Sequence, residues 1–408
     1  MSKKRKRTKS EHIPTRHQVS RWQRQARIRR IIIIVAAVFL AGIVSWVGYG
    51  YYKDRIQPLH ETAIEVNSAS FDLGYYVKAL DAYTKDIDPS QINYLASLVA
   101  SQIVQDELIR QGANDLGIYV TAQEVDEKIE ENQLPKDKVY RDIISAGLLR
   151  EKLMEYFDLQ LPDTMEQAHI QAMLVESRPV ADEVIAKFGS SGNFTALVDE
   201  FSCQPQVEGD LGWLPQELMP NTLIGEAAFS LQSGESDKIY DKSAAKNVGY
   251  WLIEVVDTDE EKGINTRAIL LGNKTEADEV KAELTSIGNF TALAKENSQH
   301  ESKDNGGELG WLKQGDMSSQ AFDEAAFSLP INEVSEPVQD KSVQTTGGYW
   351  VITVLGRENR VLSEEARTGL AQNDFNDWYG EQSGSSIINN YLDEETISWA
   401  VAKVTRGR

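Results

Sequence analysis

The chain has 408 residues, 41% of them apolar, and sets 63 Asp and Glu against 42 Lys and Arg for a formal net charge of −21. That length gives room for two or three domains with cores of their own and excludes a disordered tail. A single cysteine, Cys203, excludes an intramolecular disulfide and a cysteine-ligated metal site, so the fold must hold by packing.

Residues 1–30 carry twelve Lys and Arg and one acid, Glu11, and an uncharged apolar run follows from Ile31 to Tyr52. About 20 helical residues cross a bilayer core, and Trp46, Tyr49, Tyr51 and Tyr52 suit an interfacial aromatic belt. The expectation is a basic cytoplasmic tail over 1–30, one transmembrane helix over 31–52, and an extracytoplasmic bulk. No Ala-x-Ala follows the run, which favours an uncleaved anchor over a signal peptide. The strongly acidic remainder would repel nucleic acid, so none is expected as a partner.

From 58 to 165 the pattern is helical. Ile92, Leu95, Val99 and Ile103 share one helix face, Gly112 and Gly117 punctuate the chain, and Thr121-Ala-Gln-Glu124 is a capping-box signature opening another helix. Four blocks then recur in order, offset by 96, 98, 98 and 99 residues. Asn193-Phe-Thr-Ala-Leu197, Gly209-Asp-Leu-Gly-Trp-Leu214, Glu226-Ala-Ala-Phe-Ser-Leu231 and Gly249-Tyr-Trp251 return as Asn289-Phe-Thr-Ala-Leu293, Gly307-Glu-Leu-Gly-Trp-Leu312, Glu324-Ala-Ala-Phe-Ser-Leu329 and Gly348-Tyr-Trp350. A small domain is duplicated, over 167–257 and 265–357, with Thr258 to Gly263 as a polar linker.

Each copy opens on an apolar run suited to a buried strand, continues through helical pieces, and closes with alternating Trp251, Ile253 and Val255 or Trp350, Ile352 and Val354. The class is α+β: a small antiparallel sheet with packed helices in each copy, plus the helical region. Residues 362–408 return to helical spacing with Trp378, Tyr379, Tyr391, Leu392 and Trp399 as anchors, and are expected to dock on the helical domain.

The duplicated pattern resembles the parvulin-type peptidyl-prolyl cis-trans isomerase domain. Ala63-Ile-Glu-Val-Asn67, Leu108 to Ile118 and Thr121 to Asp126 look like the helical chaperone region that precedes such domains in the SurA and PrsA foldases. The resemblance implies two tandem parvulin-like domains behind a SurA-N-like chaperone domain, with unfolded or extended polypeptides as clients. Rotation about an X-Pro bond must break amide resonance, a barrier of roughly 18–20 kcal/mol, and lowering it calls for no cofactor, metal or nucleophile. It calls for an apolar pocket and a polar environment suited to the twisted amide.

By the resemblance, Leu309, Met317 and Phe322 form the apolar pocket of the second copy and Leu211, Met219 and Ile224 that of the first. Thr345 matches a polar position beside the site, replaced by Lys246 in the first copy. The family's polar centre is a histidine opening the first strand, an aspartate or cysteine ahead of the Gly-Asp-Leu-Gly block, and a histidine after the last Gly-Tyr. Those positions read Ala172, Gln204 and Trp251, then Ala268, His300 and Trp350. Six substitutions in six predict weak isomerase activity at best.

His169, three positions before Ala172, would point to the opposite strand face and could not substitute. Cys203 sits one residue ahead of the family's acidic or thiol position. Three functions therefore stay open: a membrane-anchored isomerase, a catalytically inactive parvulin-fold chaperone, and a scaffold for an envelope complex.

Overall fold

The computed structural model describes residues 38–407 apart from Asp54 and residues 205–208. The chain divides into two compact units, one running to residue 153 and resuming at 375, the other spanning 154–374. The basic tail and residues 31–37 lie outside the described residues.

The membrane helix expected over 31–52 is corrected. Residues 38–53 form a helix, α1, yet no helix among the described residues is long and apolar enough to cross a membrane.

The first unit is less purely helical than its sequence suggests. Strands β1 (Thr62–Val66) and β2 (Ala69–Asp72) form a hairpin turned at Asn67, whose φ of 54° lies in the left-handed region that asparagine tolerates. Helices α2 (Leu73–Tyr83), α3 (Ile92–Asp115), α4 (Ala122–Glu131) and α5 (Lys138–Gln160) follow. Thr121 and Glu124 exchange both hydrogen bonds of a capping box at the start of α4. Gly112 does not break the chain; it lies inside α3, where a Cβ would come within 2.5 Å of the Trp378 ring. The helix keeps glycine there to let that indole approach.

After α12 (Glu364–Ser385) the tail adds strand β11 (Ile388–Asn390) to β1, giving the order β11-β1-β2, and ends in α13 (Glu394–Gly407). Ala400 and Val404 of α13 join Ile64, Tyr76, Leu80 and Ile103 in one core.

The second unit contains β3 (Thr164–Val175), α6 (Arg178–Ser191), α7 (Phe194–Phe201), β4 (Gly209–Leu214), α8 (Thr222–Ser230) and β5 (Ser236–Lys246). It continues through β6 (Gly249–Asp259), β7 (Gly263–Leu271), α9 (Lys274–Ile287), α10 (Phe290–Asn297), β8 (Glu308–Leu312), α11 (Gln320–Ala326), β9 (Val338–Asp340) and β10 (Thr345–Val361). The repeated Asn-Phe block has a local cause: Asn193 and Asn289 cap α7 and α10, each side chain accepting the N–H three residues on.

The two sheets do not follow the two repeats. One has the order β4-β3-β10-β5 and the other β8-β7-β6-β9. Strand β10, which closes the second repeat, pairs with β3 of the first; Trp350 lies opposite Leu174 and Ile352 opposite Ala172. Strand β6, which closes the first repeat, pairs with β7 of the second, so Trp251 faces Leu270 and Ile253 faces Ala268. The closing strands are exchanged, and residues 249–340 form a sheet inserted between β5 and β10 of the other.

The presumed linker is the reason. Asp259 and Gly263 are partners in the β6–β7 ladder, and only Glu260, Glu261 and Lys262 lie between them. Asp259 accepts the N–H groups of Glu261 and Lys262, both at 2.9 Å. Gly263, with φ 95°, tucks against the Leu312 carbonyl, 2.1 Å from where a Cβ would stand. A tight turn between antiparallel strands closes a loop at little entropic cost, so β6 and β7 pair locally. Because β6 and β10 present the same Trp-x-Ile-x-Val face, β10 closes the other sheet with equivalent packing.

Both exchanged strands are buried on two faces. In the inserted sheet, Tyr250 and Leu252 pack toward α9 and α10 while Trp251, Ile253 and Val255 pack toward Phe322 and Ala326 of α11. The other sheet repeats this, with Val351 in the core of α6 and α7 and Trp350, Ile352 and Val354 in that of α8.

The exchange predicts a specific crosslink. In a Cys203→Ser background, Gln171→Cys with Thr353→Cys should form a disulfide under mild oxidation, because these residues are Cα partners across β3 and β10. Crosslinking of Gln171→Cys to Glu254→Cys instead, read by mass spectrometry, would mean that each repeat closes its own sheet.

Candidate functional site

The exchange makes both apolar clusters composite. In the inserted sheet the first repeat supplies Trp251, and the second supplies Ala268, Leu309, Met317 and Phe322, all in one apolar cluster. In the other sheet Trp350 comes from the second repeat and meets Ala172, Leu211, Met219 and Ile224 of the first. The pocket residues named from sequence thus lie together by repeat, but the closing aromatic of each group belongs to the other copy.

The two tryptophans are fixed alike. Trp251 is 1% exposed, packs edge-on against Phe322 and His300 with ring centroids 5.2 Å away in each case, and donates Nε1–H to Asp340 Oδ2 at 3.0 Å. Trp350 donates to Asp241 Oδ2 at 3.1 Å. Each aspartate also accepts from the serine two residues on, through its backbone N–H and hydroxyl. Burial alone would raise both carboxyls. Hydrogen bonds outweigh it and hold them below the usual carboxylate range, from Ser243, Trp350 and Ala244 on Asp241 and from Ser319, Ser342 and Trp251 on Asp340. The signal was available in the sequence as a further repeated block, Asp241-Lys-Ser243 and Asp340-Lys-Ser342, 99 residues apart.

Around Trp251 lies a groove of about 480 Å³ with an apolar wall of Trp251, Leu270, Met317 and Val343. His300, Glu301, Asp316 and Ser342 stand on its rim. His300 is half-buried, its Nδ1 lies 2.9 Å from Ser302 Oγ and accepts the Ser302 N–H, and desolvation depresses its pKa against the opposing pull of Glu301. Near neutral pH it is therefore an uncharged group beside an indole.

The corresponding lip of the first copy is engaged within its own unit. Leu218 stands where the second copy has Asp316, and it packs with Leu362, Ala366 and Leu370 at the start of α12. Asn373 Nδ2 donates to the Glu217 carbonyl at 3.1 Å. Gln204 donates its backbone N–H to Ser202 Oγ, and the loop after it lies outside the described residues.

Thr345 does not line the groove. It is 2% exposed, donates Oγ1–H to the Val248 carbonyl, and is the Cα partner of Lys246 where the chain passes between sheets. Lys246 is 1% exposed; burial lowers its pKa, and Nζ donates to the carbonyls of Gly347 and Glu176. These positions hold the crossover. His169 lies away from Ala172's face, 2.6 Å from Asp210 and beside the Trp213 ring. Cys203 donates its N–H to the Leu174 carbonyl and packs at the margin of the inserted sheet's core.

Comparisons with known proteins find two family models along the chain. Residues 20–154 match the SurA-like N-terminal domain, and residues 263–358 match the PPIC-type PPIASE domain. Chaperone SurA of Dechloromonas aromatica is 25% identical over 370 residues, covering 84% of this chain and 80% of that protein. Foldase protein PrsA of Geobacillus kaustophilus is 39% identical over 144 residues, 35% of this chain and 44% of that one. Among solved structures, PrsA from Bacillus subtilis matches at 16% identity over 85% of this chain and 93% of that chain, with a TM-score of 0.19 that carries no weight here.

Two outcomes follow from the groove's geometry. Trp251→Phe removes the donor to a buried carboxylate and should cost about 1–3 kcal/mol in urea unfolding, with no loss expected if the bond contributes nothing. His300 should titrate by NMR below the ordinary imidazole value of 6.5. Below that value the unfolded chain binds the proton more readily, so stability should fall with acidification through this window and be flat above it. His300→Gln should remove that slope.

Proposed function

We propose that this SurA/PrsA-like parvulin foldase uses the Trp251 groove to hold extended, proline-containing segments of unfolded chains, acting chiefly as a chaperone and only weakly as an isomerase. The supporting observation is the fate of the polar centre. An isomerase must offer hydrogen-bonding groups to an amide as it twists. Here a buried indole, its N–H committed to Asp340, occupies the position of the family's histidine, and Ala268 removes another. What is left is an apolar wall with neutral His300 at its edge, a surface suited to gripping an apolar side chain.

Residual isomerase activity is the second reading, favoured by His300 and Met317 on the same groove. A location outside the cytoplasm belongs to the proposal as well; it is supported by the cationic residues 1–30, since a positive N-terminal region precedes exported chains.

A protease-coupled proline-peptide assay on the whole chain separates the readings. The expected rate is close to the uncatalysed one, while aggregation of an unrelated unfolded protein is suppressed and Met317→Ala weakens that suppression several-fold. A rate far above background that vanishes in His300→Ala would make the protein an isomerase. No suppression of aggregation would leave the scaffold reading.

A further inference from the structure

Resting on that reading of the groove, we propose that it selects client segments in which a lysine or arginine flanks the apolar or proline residue. The lining contains two exposed carboxylates, Glu301 and Asp316, and no lysine or arginine. Asp316 is held on the lip by the Lys313 N–H, which it accepts at 2.7 Å, so the carboxylate stays at the groove mouth. Behind the lip, Asp323 is 7% exposed; its Oδ2 accepts the Gly315 N–H at 2.6 Å and its Oδ1 has no hydrogen-bond partner among the described residues. Below the wall stands Asp340, held ionised by its donors.

The nearest cations do not neutralise this rim. Lys303 reaches back to the Glu296 carbonyl, and Lys341 lines a different cavity, beside Glu176 and Tyr250. Lys313 is the one exposed lysine on the lip loop itself and sets a limit on the effect. An extended segment seated against Met317 and Val343, the part-exposed apolar side chains of the lining, would bring its neighbouring side chains to Glu301 and Asp316, where a cation is attracted and an acid repelled.

The first copy lacks the pattern, having Pro205 and Leu218 at the corresponding sequence positions. The selection therefore belongs to the Trp251 groove alone.

The test uses the full chain and fluorescent peptides of equal length sharing one apolar-proline core, flanked by Lys, Gln or Glu, with binding read by anisotropy at low and high salt. Two solvent-facing pairs predict about three- to tenfold tighter binding of the Lys peptide than the Glu peptide, shrinking with salt. Glu301→Gln with Asp316→Asn, whose amide can still accept the Lys313 N–H, should abolish the difference while the Gln peptide binds as before. Equal binding of all three peptides by the unaltered chain would overturn the selection and leave the groove reading standing. A preference that survives the double substitution would assign it to the acidic surface at large and overturn it too. Failure of every peptide to bind would remove the groove reading itself.

Discussion

Three residues, Glu260 to Lys262, join β6 to β7, and a connection that short commits these strands to one sheet. The rest of the second unit follows. With β6 withdrawn, β3 lacks the neighbour its own repeat would have supplied, and β10 fills the place in the same register of inward side chains. Two crossing segments result, and Lys246 and Thr345, buried where they leave and enter the sheet, spend their polar groups on the carbonyls of Glu176, Gly347 and Val248. A buried lysine is costly unless its ammonium is satisfied. Here it replaces the ladder partners that the backbone loses as it leaves a sheet.

Against this shared frame the copies have diverged where they meet their surroundings. Both keep the tryptophan, its aspartate and the serine two residues on, so the interior of each cluster recurs in the two copies as one packing solution. The lips differ. Leu218 gives the first copy an apolar tooth that seats among Leu362, Ala366 and Leu370, whereas Asp316 gives the second a charged edge turned to solvent. One side chain thus separates a lip used for the protein's own cohesion from a lip that faces solvent.

Much of this was legible in the sequence. Asn193 and Asn289 announce helix caps, the Trp-x-Ile-x-Val alternation announces the closing strands, and the Thr121 to Glu124 box announces α4, because each is a local property of the backbone. Pairing is not local. Since Trp251 and Trp350 sit in near-identical strings, periodicity cannot tell which sheet each string closes; only the length of the turn after Asp259 discriminates, and it reads equally well as a linker. The strands of the first unit were hidden for a related reason, since Ala69 to Asp72 is too short to establish a period of two. Gly112 reads as a break until Trp378, far along the chain, is known to lie against it. The apolar run at the N-terminus has the composition of a membrane helix, and among the described residues no helix is long and apolar enough to cross one.

The sheets are nested in chain order, and this sets a timetable for synthesis. The inserted sheet has all its strands once residue 340 has emerged, its host must wait for residue 361, and β1 finds its outer partner only at residue 388. For more than three hundred residues of elongation β1 has an open edge, and open edges invite pairing with other chains. Until that residue has emerged, the first sheet depends on a strand that the chain has not yet made.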